Sequence, residues 1–211
     1  DIFRDHPKWI VGYSDITALL SAEICAGNMS IHSNMGHQLA LGGGTDSISL
    51  MLKNLLFGTL PTYHNPPHHF DNYGSAEGIL IGGNMSVYES LIASDFDFFK
   101  AVDAKNAIIF IEDIGEDVKK IERMLNHLIL NGIIDNVNGI IVGRFVNCRD
   151  QYSGNTVFDI FHSTLKDLNI PIAYDFPVSH DETHNYPLIE GCRVRLDVGP
   201  EGSTLKFLGS K

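Results

Sequence analysis

A chain of 211 residues with 44% hydrophobic side chains is long enough for a real core and one or two domains. Its 15 basic and 26 acidic residues leave a formal net charge of −11, which argues against holding a nucleic-acid backbone on a basic surface. Cys25, Cys148 and Cys192 form no CxxC pair and are odd in number, so they read as buried free thiols of a reducing compartment, not as a disulfide framework or a zinc site. Neither an apolar run of roughly 18 residues nor a signal-peptide pattern is seen, so no membrane span and no leader are expected.

Trp9-Ile10-Val11-Gly12 reads as a buried strand, succeeded at once by a sharp turn and a helix over 16–27. Gly12 permits a tight bend. Ser14 then stands at the top of the bend, and Asp15 falls where the helix starts, near the positive end of its dipole. A serine held this way exposes its hydroxyl beside backbone N–H groups that can receive an oxyanion. Ile16 occupies the place of the second glycine in a full nucleophile-elbow signature, and the competing reading is that Ser14 simply caps the helix. Because the sequence starts almost on this strand, and an elbow needs neighbouring strands, the chain is expected to be the C-terminal portion of a longer protein.

Ile31 to Met35 comes next as a short extended piece, and Leu39 to Gly44 reads as a loop ending in three glycines. Residues 45–57 carry Ile48, Leu52, Leu55 and Leu56 at helical spacing. The Pro-, His- and Gly-rich stretch 58–78 reads as a linker, which divides the chain into a first unit over 1–60, a linker over 61–78 and a second unit over 79–211. His64, His68 and His69 in that stretch raise a metal site, but no acidic or cysteine ligand stands at metal spacing, so a solvated loop is the simpler reading. Gly78 to Asn84 is a strand that runs through Gly82-Gly83 into a helix over 85–93.

The second unit repeats strand and helix. Ala107 to Ile111 is a continuous apolar run of the kind buried on both faces, and it ends on Glu112-Asp113. Helix 117–131 has Val118, Ile121, Leu125 and Leu128 on one face. Gly139 to Gly143 is a further buried strand leading to Arg144, 156–168 a helix, and 170–176 a strand with His180 just beyond. Residues 192–198 and 203–208 alternate and close the chain as an antiparallel hairpin about Gly199-Pro200-Glu201-Gly202. The fold class is therefore α/β: a partial parallel-sheet unit carrying the elbow, then an α/β unit with a closing hairpin.

In open α/β sheets ligands bind beyond the carboxyl ends of strands. Ser14, Glu112 and His180 all stand at such ends. Serine, carboxylate and histidine are the set that nucleophilic catalysis needs: the imidazole takes the hydroxyl proton, and the carboxylate fixes the imidazole. Asp113 competes with Glu112 for the acid, and His184 competes with His180 for the base.

Five short blocks in series resemble the LD-carboxypeptidase family, the murein tetrapeptide carboxypeptidases that also include the microcin C self-immunity peptidases. They are Val11-Gly12-Tyr13-Ser14-Asp15-Ile16-Thr17, Gly82-Gly83-Asn84-Met85-Ser86, Ile111-Glu112-Asp113-Ile114-Gly115 with Ile121 to Leu125, Gly139 to Phe145, and Phe176-Pro177-Val178-Ser179-His180. The resemblance runs over essentially the whole chain. It implies a two-domain peptidase with a Ser14–Glu112–His180 triad, an oxyanion hole using the Asp15 N–H, and a second donor from an N-terminal part. Ser179 departs from the family, which usually has glycine there, and the spacing over 181–191 also differs. The implied reaction is metal-free hydrolysis of the amide that holds a terminal D-alanine on a muropeptide tetrapeptide, in the cytoplasm and without a cofactor. A peptidyl-nucleotide is the alternative substrate, and a catalytically inert binding module the alternative of a different class. Arg144 is a candidate partner for the substrate's terminal carboxylate, or a structural ion pair. Asn84 either contacts substrate or caps the next helix. Family members are often dimers, so a homodimer is an implied assembly.

Overall fold

Where a strand is apolar at every position, both of its faces are covered, and Ala107 to Ile111 is the centre of this molecule for that reason. The computed structural model describes residues 2–149 and 154–209. In chain order the elements are α1 (Ile2–Asp5), β1 (Val11–Gly12), a 3-10 turn (Ser14–Ile16), α2 (Thr17–Cys25), β2 (Ser30–His32), α3 (Gly36–Leu41), α4 (Ser47–Leu56), β3 (Thr62–Asn65) and β4 (Gly74–Asn84). Then come α5 (Met85–Leu91), β5 (Ala107–Ile114), α6 (Val118–Leu130), β6 (Gly139–Val146), α7 (Val157–Leu165), β7 (Ile172–Ala173), β8 (Leu188–Glu190), β9 (Arg193–Gly199) and β10 (Gly202–Gly209).

Two sheets result. The larger runs β3-β10-β9-β4-β5-β6-β7, with β4 to β7 parallel and the hairpin β9–β10 antiparallel against β4. The smaller runs β1-β2-β8, with β1 parallel to β2 and β8 antiparallel to it. Side chains alternate across β5. Ile109 and Ile111 pack with α5, α6 and α7, including Ile121, Leu125 and Phe161. Ile108 and Phe110 pack on the opposite side with the small sheet, α4 and the hairpin, including Ile31, Leu52, Leu188 and Leu196. The α/β architecture with a closing hairpin agrees with the sequence-based expectation, and the hairpin makes the large sheet mixed.

Several local expectations change. The stretch 61–78 is not only a connection: Thr62–Asn65 forms the edge strand β3 on β10, and Gly74 to Gly78 is the first half of β4. Its alternating burial, with Tyr63 and Asn65 turned inward, is hidden in the sequence because the inward Asn65 is as polar as the exposed Thr62 and His64. The extended reading of 31–35 stops at His32, and Gly36–Leu41 is helical because Gln38 reaches back to the Met35 N–H. Strand 170–176 shortens to Ile172–Ala173. Of the three cysteines, all free, only Cys192 is buried; Cys25 and Cys148 are half-buried. No helix among the described residues is long and apolar enough to cross a membrane.

Candidate active site

The turn after β1 is built by a close approach. A Cβ on Gly12 would lie 2.5 Å from the Ile16 side chain, so the chain folds Ile16 back over position 12 only because glycine is there. Between them Ser14 adopts φ 60, a left-handed conformation that costs a residue with a side chain on the order of 1–3 kcal/mol. The Ile16 N–H closes the turn on Tyr13 O at 3.1 Å. Ser14 is not a helix cap. The capping positions of the 3-10 turn and of α2 are Tyr13 and Ile16, neither with a side-chain cap bond. Ser14 is half-buried at the head of the turn and Asp15 is exposed, its N–H in a first turn, where intrahelical acceptors are lacking.

The register of β4 on β5 sets Asn84 beside Glu112, and the alternation of β5 sends Glu112 and Asp113 to opposite faces. That alternation separates their roles. Glu112 Oε2 lies 2.5 Å from His180 Nδ1, with the glutamate side chain 0% and the histidine side chain 8% exposed. Asp113 instead accepts the Asn84 amide at 2.9 Å, the Ser86 N–H at 2.9 Å and its neighbour Ile114 N–H at 2.8 Å, and so organises the start of α5. His184 is half-exposed and paired with Asp181 at 2.7 Å. The histidine on the buried acid is therefore His180. Burial pushes the Glu112 carboxyl above its ordinary range, opposed by the hydrogen bond and charge of His180.

His180 stands edge-on to Tyr13, ring centres 5.0 Å apart, which brings it against the residue next to Ser14. Its Nε2 is buried and has no hydrogen-bond partner among the described residues. Tyr13 is fixed in turn, its hydroxyl accepting the Gln38 amide at 3.0 Å.

The remaining candidates divide. Asn84 is the cap of α5: its Oδ1 accepts the Val87 N–H at 3.1 Å and the Ser86 hydroxyl at 2.8 Å. Its backbone N–H reaches Thr17 Oγ1 at 3.1 Å, which ties β4 to α2. Arg144 is in an ion pair, Nε to Asp175 at 2.8 Å, at the carboxyl end of β6; its backbone N–H donates to Val178 O beside the His180 loop. The histidines of 61–78 do not converge on one point. His64 bonds Thr204 on the sheet edge, while His68 stacks on Tyr174 and stands edge-on to Phe70 and Phe158, and His69 lies tilted against Phe70. No group of three His, Cys, Asp or Glu among the described residues could hold a metal ion.

Sequence reading passed over His32 and Asn185. Both are wholly buried, with His32 Nε2 3.0 Å from Asn185 Oδ1. Burial holds His32 neutral, its pKa pushed down to about 3. The signal that could have found His32 is the one that found Ser14, since it too ends a parallel strand.

Two family models match this chain: that of the LD-carboxypeptidase C-terminal domain over residues 77–196, and that of the LD-carboxypeptidase N-terminal domain over residues 1–33. A Bacillus subtilis protein described as a probable murein peptide carboxypeptidase is 35% identical over 159 residues, 70% of this chain and 46% of that protein. The microcin C7 self-immunity protein of Escherichia coli is 25% identical over 93% of this chain and 66% of its own length. The crystal structure of muramoyltetrapeptide carboxypeptidase from Oxalobacter formigenes shares the fold with a TM-score of 0.82 at 23% identity, covering 99% of this chain and 71% of that one. The chain thus spans about half to two thirds of the curated relatives it matches.

Proposed function

Because this chain belongs to the LD-carboxypeptidase family, we propose that it carries the catalytic groups of a serine peptidase, with Ser14 as nucleophile, His180 as base and Glu112 as orienting acid. The observation that carries the reading is the buried 2.5 Å Glu112–His180 pair, whose free Nε2 belongs to a ring packed on the neighbour of a serine at positive φ. In this mechanism Glu112 accepts the Nδ1–H and leaves the Nε2 lone pair to take the Ser14 proton. Oγ then adds to the carbonyl carbon, and the Asp15 N–H donates to the oxyanion. The C–N bond breaks as His180 returns its proton to the leaving amine. Water, deprotonated by the same Nε2, attacks the acyl-enzyme and restores the Ser14 hydroxyl. A second oxyanion donor is assigned by family resemblance to the part of the relatives that this chain does not span.

For the substrate we propose a muropeptide tetrapeptide, cleaved in the cytoplasm at the amide of its terminal D-alanine. The names of the Bacillus and Oxalobacter relatives support this choice. Arg144 is the proposed partner of the terminal carboxylate, through the guanidinium nitrogens beyond the Nε that Asp175 holds. A peptidyl-nucleotide is the second reading, favoured by similarity to the microcin C7 self-immunity protein. The test is release of D-alanine from a muropeptide tetrapeptide by this chain and by the natural gene product, each with its Ser14→Ala variant. Release that Ser14→Ala abolishes supports the proposal. A folded natural product that leaves the tetrapeptide intact but cleaves a peptidyl-nucleotide replaces the first reading by the second.

A further inference from the structure

A hydrogen bond to Glu112 fixes one edge of the His180 ring, but it does not fix the main chain from which the ring hangs. That main chain is the loop between β7 and β8, and it is fastened by buried side chains. The amide of Asn185 lies in the interior, where an unsatisfied polar group is costly, and its bonds join the loop to β2, to the residues just after β2 and to the loop's own start. Its Oδ1 accepts the N–H of Ser179, the residue before His180, at 3.3 Å, and faces His32 Nε2 at 3.0 Å. Its Nδ2 donates to Asn34 Oδ1 at 3.1 Å, and Asn34 Nδ2 donates to Glu182 O at 2.9 Å. A main-chain N–H only donates, so the atom opposite Ser179 is the carbonyl oxygen, and His32 must carry its proton on Nε2.

We propose that Asn185, oriented by His32 and Asn34, is a positioning residue for His180: it holds the main chain on both sides of the base in register with the strand beside the nucleophile. The inference rests on the reading of His180 as base. β2 is that neighbouring strand, with Gly12 opposite His32 and the Ser33 N–H on Gly12 O at 3.0 Å. The same segment therefore sets both the height of the serine turn and the seat of the histidine loop. The His32 ring is wedged edge-on between Tyr13 and Phe110, centres 6.2 and 5.2 Å away, so it has no room to turn. Held neutral by burial, it donates the same proton across the working range of pH.

The test uses the natural gene product and a fluorophosphonate probe, read as the pH dependence of Ser14 labelling, with the downfield proton resonance of the His180–Glu112 bond measured by NMR. Asn185→Ala and His32→Leu are expected to label about tenfold to a hundredfold more slowly, the scale of a small misplacement of a reacting group, with unchanged probe affinity and a shifted His180 resonance. His32→Gln, which keeps an N–H donor, is expected to recover most of the rate. Leu165→Ala, a core change in α7, supplies a variant of comparable lost stability that labels at the wild-type rate. If Asn185→Ala and His32→Leu fail to fold, the isosteric Asn34→Asp carries the test: it removes the donor to Glu182 and is expected to slow labelling where His32→Gln does not. Wild-type rates and resonance in all of these overturn the proposal while leaving the triad standing. Labelling that is the same in wild type and His180→Ala overturns the triad and the proposal with it.

Discussion

At the scale of single residues, strain and burial decide what the site can do. Ser14 occupies a left-handed conformation that glycine adopts freely. Ser14→Gly is therefore expected to be more stable than Ser14→Ala by about 1 kcal/mol in denaturant unfolding, with both inactive. Equal stability of the two would show that the turn stores no strain at this position. Glu112→Gln keeps the shape of the acid but not its charge, and is expected to lower kcat by on the order of 10³–10⁴ with KM little changed. Arg144→Ala is expected to do the reverse, raising KM more than it lowers kcat. The three residue types of the site were legible in the sequence because each stands at the carboxyl end of a strand. The choice of Glu112 over Asp113, and of His180 over His184, came from the family resemblance alone and was not legible in residue type and spacing. It depends on which face of β5 is buried and on which histidine reaches it, and neighbouring residues of like chemistry look the same in one dimension. Asn185 was illegible for a stronger reason: its partners lie 153 and 151 positions away at His32 and Asn34.

At the scale of elements the junction of β4 with α2 is tightly closed. A Cβ on Gly83, whose φ is +125, would lie 2.6 Å from Thr17 Oγ1. Gly83→Ala is expected to lose about 2–3 kcal/mol, through strain and separation of α2 from β4, and to lower activity by moving the serine turn. Unchanged thermal unfolding would show that α2 yields more easily than this packing implies. Long elements were legible because their periodicity is strong, as in α6, or because they are apolar throughout, as in β5 and β6. Short ones were not. β3 is polar at three of its four positions, so its alternating burial does not show in its residue types, and β8 is three residues long and is paired with β2 from far back in the chain.

At the scale of the whole molecule, the small sheet draws β1 and β2 from the start of the chain and β8 from beyond the base, so the two ends close around the site. Two buried titratable groups lie at that closure and act on stability in opposite directions. Glu190, both oxygens without a side-chain partner among the described residues, is pushed by burial up to about 8. The folded state keeps a proton that the unfolded chain gives up, so stability falls as pH rises from 4.5 toward about 8, by about 1 kcal/mol per unit. Glu190→Gln is expected to gain on wild type over that window. His32 is depressed from 6.5 to about 3, so its contribution is present above 6.5 and is lost as pH falls toward 3. His32→Gln is expected to flatten the acid side. Parallel stability curves for wild type and either variant would contradict the role given to burial. The central claim, that Ser14 is the nucleophile served by His180 and Glu112, is tested most directly by reacting the natural gene product with a fluorophosphonate and mapping the adduct by mass spectrometry. One adduct on Ser14, absent from Ser14→Ala and strongly reduced in His180→Ala and Glu112→Gln, is the predicted result. A folded protein that takes no adduct, or takes it on another residue, would contradict the claim.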